Sequence, residues 1–237
     1  MADPKNPLIP VHADPLQHPL YRLAERLAQK GAVKIVAIGS SSTAGEGNIV
    51  PYPYRLQDDL RKTYKNNLIE VIDLGIGGQE APEEKARMQD VIDQKPALTI
   101  WQVGTNAVWK KENLDAVGMA IKAGLLLLQN EPMDVILMDL QYAPAILTDD
   151  MIGATRSMQS LIAQAAAEAG VSVFHRFDMM RKFIEVERHS FDTIIDPTDE
   201  TRLHMSDFAT GRVSYELCQV ITVAAALASP AAAPPNA

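Results

Sequence analysis

The chain has 237 residues, 47% of them hydrophobic and 22% charged, enough apolar material for one large domain to fold around its own core. A formal net charge of −8, with no Lys/Arg-rich run, excludes the usual footprint of a nucleic-acid binder or of a protein drawn to acidic membranes; a neutral or cationic small molecule is easier to accommodate. The single cysteine, Cys218, lies in an apolar helical pattern and excludes an internal disulfide or a thiolate metal cluster.

Residues 1–14 are proline-rich and read as an extended arm. They lack the basic start and apolar core of a signal peptide, and no later run reaches the length of a membrane span. As written, the chain is expected to be soluble and cytoplasmic, or periplasmic or secreted if a leader preceded it. Residues 15–227 form the expected domain, and 228–237 an Ala/Pro-rich tail that cannot pack a core.

Within the domain, "LYRLAERLAQKG" (20–31) predicts an amphipathic helix ending on glycine, and "VKIVAI" (33–38) a buried strand. Helix "YPYRLQDDLRKTY" (52–64) precedes strand "LIEVIDL" (68–74); helix "EEKARMQDVIDQ" (83–94) precedes strand "ALTIWQV" (97–103). Helix 112–130, strand "DVILMDL" (134–140), helix 149–170 and the short strand "VSVF" (171–174) follow, and a last helix starts near Ser206. Short apolar strands separated by helices specify a parallel sheet covered on both faces, because right-handed crossovers place helices there. The expected fold is a three-layer α/β/α sandwich around a five-stranded parallel sheet, flavodoxin-like in type.

Such sheets bind ligands beyond the carboxyl ends of their strands. After the first strand stands "GSSSTAG" (39–45), after the second "GIGGQEA" (75–81), after the third "VGTNAVWK" (103–110), and before the last helix "TRLHMSD" (201–207). These segments supply hydroxyls, glycine N–H groups, an amide and an imidazole, the inventory of acyl transfer to serine without metal or cofactor. Each residue alone has an ordinary reading. Ser41 is a turn or cap residue, Gly75 to Gly78 a tight turn, Asn106 a helix cap, and His204 a packed histidine at a helix start. Their joint occurrence in order, each beyond its element, favours function.

Order and spelling resemble the SGNH branch of the GDSL esterase/lipase family over residues 33 to about 225. The resemblance implies Ser41 as nucleophile, with Gly39-Ser40-Ser41 in place of Gly-Asp-Ser, and His204 as general base. It implies an oxyanion hole from the N–H groups of Ser41 and Gly78 and the amide of Asn106. Asp73 stands where an Asn is commoner. The family's orienting Asp, three residues before the histidine, is replaced by Thr201; Asp199 is the preferred substitute, with Glu200 and the more distant Asp196 as alternatives and a bare Ser–His dyad as rival.

The implied activity is hydrolysis of short acyl esters, acetyl groups on carbohydrate included. A non-catalytic carbohydrate- or ligand-binding relative and an acyl thioesterase or lysophospholipase are the alternatives. Trp109, just past Asn106, and Tyr142, after the fourth strand, are candidates for substrate contact. Trp101 reads as core and His175 as a residue satisfying a backbone group. The charged cluster from Glu83 to Arg87 reads as a solvated helix face. No pattern fixes an oligomeric state.

Overall fold

A computed structural model describes residues 11–229; most of the expected arm (1–10) and tail (230–237) lies outside these residues. Five strands form one wholly parallel sheet: β1 (Val33–Gly39), β2 (Ile69–Gly75), β3 (Leu98–Gln102), β4 (Asp134–Met138) and β5 (Ser172–Phe174), in the order β2-β1-β3-β4-β5. This is the flavodoxin-like order, in which the direction of winding reverses between β1 and β3 and opens a crevice at their carboxyl ends. β1 is buried at every position except Lys34, and β3 throughout, which is why both read as near-continuous apolar runs.

Helices α1 (Tyr21–Ala28), α3 (Tyr52–Tyr64) and α11 (Asp207–Ala228) pack together on one face. Helices α4 (Ala81–Ala86), α7 (Leu114–Gln129) and α8 (Ile152–Ala169) cover the other. The three-layer sandwich expected from the strand–helix alternation is therefore the observed fold. Residues 12 and 13 lie against α11, their N–H groups donating to Glu216 Oε2 at 2.8 and 2.9 Å.

Two local readings need correction. The single helix expected over 83–94 is two, α4 and α5 (Met88–Asp93), separated at Arg87 (φ −113°, ψ 22°). Its guanidinium Nε donates to Gln79 Oε1 at 2.7 Å, which turns the side chain back towards the loop after β2. Glu84 is not solvated: α4 brings it inward, one turn from the equally buried Glu80, where it accepts a 2.7 Å bond from the indole N–H of the core residue Trp101. Burial pushes Glu84 well above the ordinary carboxyl range, with Glu80 adding to the shift. A charged run on a short helix looks solvated in one dimension; the partner that makes its burial tolerable lies on another strand.

Helix α9 (Arg176–Glu185) and the short helix α10 (Phe191–Ile194) complete the chain between β5 and the histidine loop.

Candidate active site

The Ser41 side is built on the strand ends. Ser40 follows β1 as the cap of a one-turn helix, α2 (Ser41–Ala44), with φ −97° and ψ −147°. Gly39 and Gly75 are paired in register, and neither tolerates a side chain: a Cβ on Gly75 would stand 2.2 Å from the backbone nitrogen of Ala44, and one on Gly39 2.4 Å from Thr43 Oγ1. The two glycines thus let α2 lie directly on the sheet edge. Gln102, at the end of β3, locks the turn: its Oε1 accepts from Ser40 N (3.0 Å), Ser40 Oγ (3.1 Å) and Thr43 Oγ1 (3.3 Å). Ser41 is the first helical residue, so its N–H has no acceptor inside the helix. Ser41 lines a small cleft open to solvent, together with Glu46, Ile49, Pro51 and His204.

His204 reaches that cleft from a closed loop. An isolated antiparallel bridge joins Ile195 to Met205, reinforced by Asp196 N to His204 O (2.9 Å) and Ser206 N to Ile194 O (3.0 Å). Inside the loop, Asp199 Oδ2 accepts from Leu203 N (2.9 Å) and His204 N (2.7 Å) and stands 3.0 Å from His204 Nδ1. Asp199 Oδ1 accepts from the N–H and hydroxyl of Thr201 at 3.0 and 2.7 Å. Partial burial alone would raise the Asp199 pKa; the N–H groups of His204, Leu203 and Thr201 and the Thr201 hydroxyl outweigh it and hold the carboxyl well below its usual range.

Of the carboxylates weighed from sequence, only Asp199 contacts Nδ1. Asp196 accepts from Thr198 within the loop, and Glu200 is exposed. Thr201, three residues before His204, donates to Asp199 from its N–H and its hydroxyl. With Nδ1 so engaged, Nε2 is the ring nitrogen presented to the cleft, where Glu46 Oε2 lies 3.9 Å away. Ser41 and His204 share the cleft without a hydrogen bond between their side chains among the described residues. Such bonds commonly tighten only once substrate is bound.

Gly78 and Asn106 do not line this cleft. Gly78 (φ +80°) lies in the turn after β2, where a Cβ on its neighbour Gly77 would sit 4.0 Å from Ser41 Cβ. Asn106 is buried in α6 (Thr105–Trp109) and donates from Nδ2 to Gln79 O at 3.2 Å, tying the third-strand loop to the second. Glu80 makes a parallel tie, its Oε2 accepting from Gly104 N at 3.2 Å, and burial pushes its pKa up to about 7.

Trp109 and Tyr142 do not line the cleft either. Trp109 is exposed at the end of α6, and Tyr142 packs between Phe177 and Phe191, with ring centroids 5.0 and 5.6 Å away. His175 was expected to meet a backbone group; its Nδ1 instead lies 3.4 Å from Oδ2 of the buried Asp139, a hydrogen bond that raises its pKa.

Sequence reasoning missed Gln102 and Gln141. Gln141 accepts from Ser42 Oγ at 3.1 Å and donates to the carbonyl of Leu203, joining the Ser41 turn to the His204 loop. Their only sequence signal is a polar side chain at the buried end of an apolar strand. Among the described residues no cluster of His, Cys, Asp and Glu could hold a metal ion, and no helix is long and apolar enough to cross a membrane.

The profile of the Non-GDSL lipase-like family matches residues 9–227. An acetylxylan esterase from Geobacillus stearothermophilus superimposes with a TM-score of 0.66 at 22% identity, covering 81% of this chain and 95% of that one. A G-D-S-L family protein from Desulfitobacterium hafniense DCB-2 does so with 0.62 at 20% identity, covering 79% and 99%. The uncharacterized lipoprotein YqeF of Bacillus subtilis (strain 168) is 35% identical over 80 residues, 32% of this chain and 33% of that relative's length.

Proposed function

The chain belongs to the Non-GDSL lipase-like family and has the fold of SGNH/GDSL-like hydrolases, and from that premise we propose that it is a serine esterase acting on short acyl esters. The observation that carries the reading is the Asp199–His204 hydrogen bond of 3.0 Å beside the cleft that holds Ser41. With Asp199 fixing the proton on Nδ1, Nε2 is left to accept the Ser41 proton as Oγ bonds to the ester carbonyl carbon. Nε2 then gives that proton to the departing alcohol oxygen as the carbon–oxygen bond breaks, leaving an acyl-enzyme. Water, deprotonated by the same nitrogen, releases the acid.

The oxyanion is assigned to the N–H groups of Ser41 and Gly78 and the Asn106 amide, because the Gly77-Gly78 turn adjoins Ser41 and Asn106 is tied to the same loop. A small cleft and likeness to an acetylxylan esterase support an acetyl-sized acyl group and a carbohydrate ester. The Asp199 carboxylate at His204 Nδ1 supports this reading over the alternative of a binder that lacks an orienting carboxylate.

The test is covalent trapping with a fluorophosphonate, followed by tandem mass spectrometry of the peptide spanning Ser40, Ser41 and Ser42. One equivalent on Ser41, slowed severely in His204→Ala, is the expected result. Label on Ser40 or Ser42, or none at all, overturns the assignment.

A further inference from the structure

The cleft has a second carboxylate that the reaction above does not use. Glu46 lines it, and its Oε2 stands 3.9 Å from His204 Nε2, on the opposite side of the imidazole from Asp199. The backbone brings Glu46 to the cleft. Gly45, at φ +89°, turns the chain out of α2 with its N–H donating to Ser41 O at 2.9 Å, and it packs on the Pro51 ring; Glu46 O accepts from Ile49 N. Arg55 holds the far end of the same loop through Val50 O at 2.8 Å, while its guanidinium pairs with Asp207 at the start of α11. The Glu46 side chain is half exposed and enters no other ion pair among the described residues.

Resting on the serine-esterase reading, we infer that Glu46 selects the alcohol half of the substrate: esters of neutral or cationic alcohols over those bearing a carboxylate or phosphate. Nε2 must meet the leaving oxygen to protonate it, so the alcohol passes within reach of whatever flanks Nε2. A carboxylate there accepts hydrogen bonds from neighbouring hydroxyls and attracts an ammonium, whereas it repels a second anion in a site only partly shielded by water.

The test uses three aryl acetates that share the acyl group and differ in the leaving phenol: unsubstituted, trimethylammonio and carboxylate, each corrected for its spontaneous hydrolysis. The protein should show kcat/KM in the order cationic, neutral, anionic. Glu46→Gln should shrink the cationic-to-anionic ratio by about tenfold, Glu46→Lys should reverse it, and added salt should weaken it in the parent. If Ser41-dependent turnover persists with the same ratio in parent and Glu46→Gln, Glu46 has no selective role and the inference fails. Absence of any Ser41-dependent turnover instead overturns the serine-esterase reading, and the inference with it.

Discussion

The two halves of the cleft are made by different physics. The Ser41 half is packing: a one-turn helix set on the sheet edge because Gly39 and Gly75 lack side chains, and pinned by a buried glutamine. The His204 half is polar: a loop closed by one bridge and organised around a single carboxylate that takes its bonds from Thr201, Leu203 and His204, the imidazole included. The first half is rigid because nothing else fits there. The second stays in place because an ionised Asp199 answers N–H groups that would otherwise lack partners.

That contrast can be broken or sharpened by mutation. Asp199→Ala should act first on rate, lowering kcat by roughly a thousandfold, about 4 kcal/mol in the barrier, with the global fold retained. Circular dichroism beside steady-state kinetics checks it. The depressed pKa of Asp199 gives stability that is present above its unfolded value, near pH 4, and lost as pH falls towards its folded one; in Asp199→Asn that acid-side loss should be absent.

Gly75→Ala should do the reverse and damage the fold before the chemistry. Its Cβ meets backbone rather than a movable side chain, so urea unfolding should show a loss of about 3 kcal/mol. Beneath both halves, buried Glu80 contributes stability fully present below about pH 4.5 and lost as pH rises through about 7. Glu80→Gln removes that loss, so parent and variant should diverge between pH 5 and pH 8, the variant gaining up to about 2 kcal/mol at the higher pH. The smallest effect is expected of Thr201→Val, which leaves Asp199 its backbone donors but removes one hydroxyl bond: a fall of roughly fivefold in kcat, about 1 kcal/mol.

The same contrast governs what the sequence makes legible. Strands such as Val33 to Ile38 are readable because burial on both faces demands an unbroken apolar run, and the glycine that lets α2 approach must follow it. The positions of Ser41 and His204 beyond the elements are readable for the same reason. Which carboxylate meets His204 is not, because it depends on loop geometry: Arg202 adopts φ +56°, and Asp199 reaches Nδ1 from five residues away while Thr201 turns to support it. Partnerships across the sheet are equally hidden. Glu84 looks solvated until Trp101 is placed beside it, and Gln102 and Gln141 carry no motif although they brace the turn from Ser40 to Thr43. Chain proximity to Asn106 points Trp109 towards substrate, yet at the end of a five-residue helix it is exposed and does not line the cleft.

The most direct measurement is the initial rate of aryl acetate hydrolysis by the protein beside Ser41→Ala and His204→Ala, each verified as folded. Turnover by the parent that falls to the spontaneous rate in both variants is the predicted result. A parent no faster than Ser41→Ala would contradict the account and leave a cleft that binds esters without cleaving them.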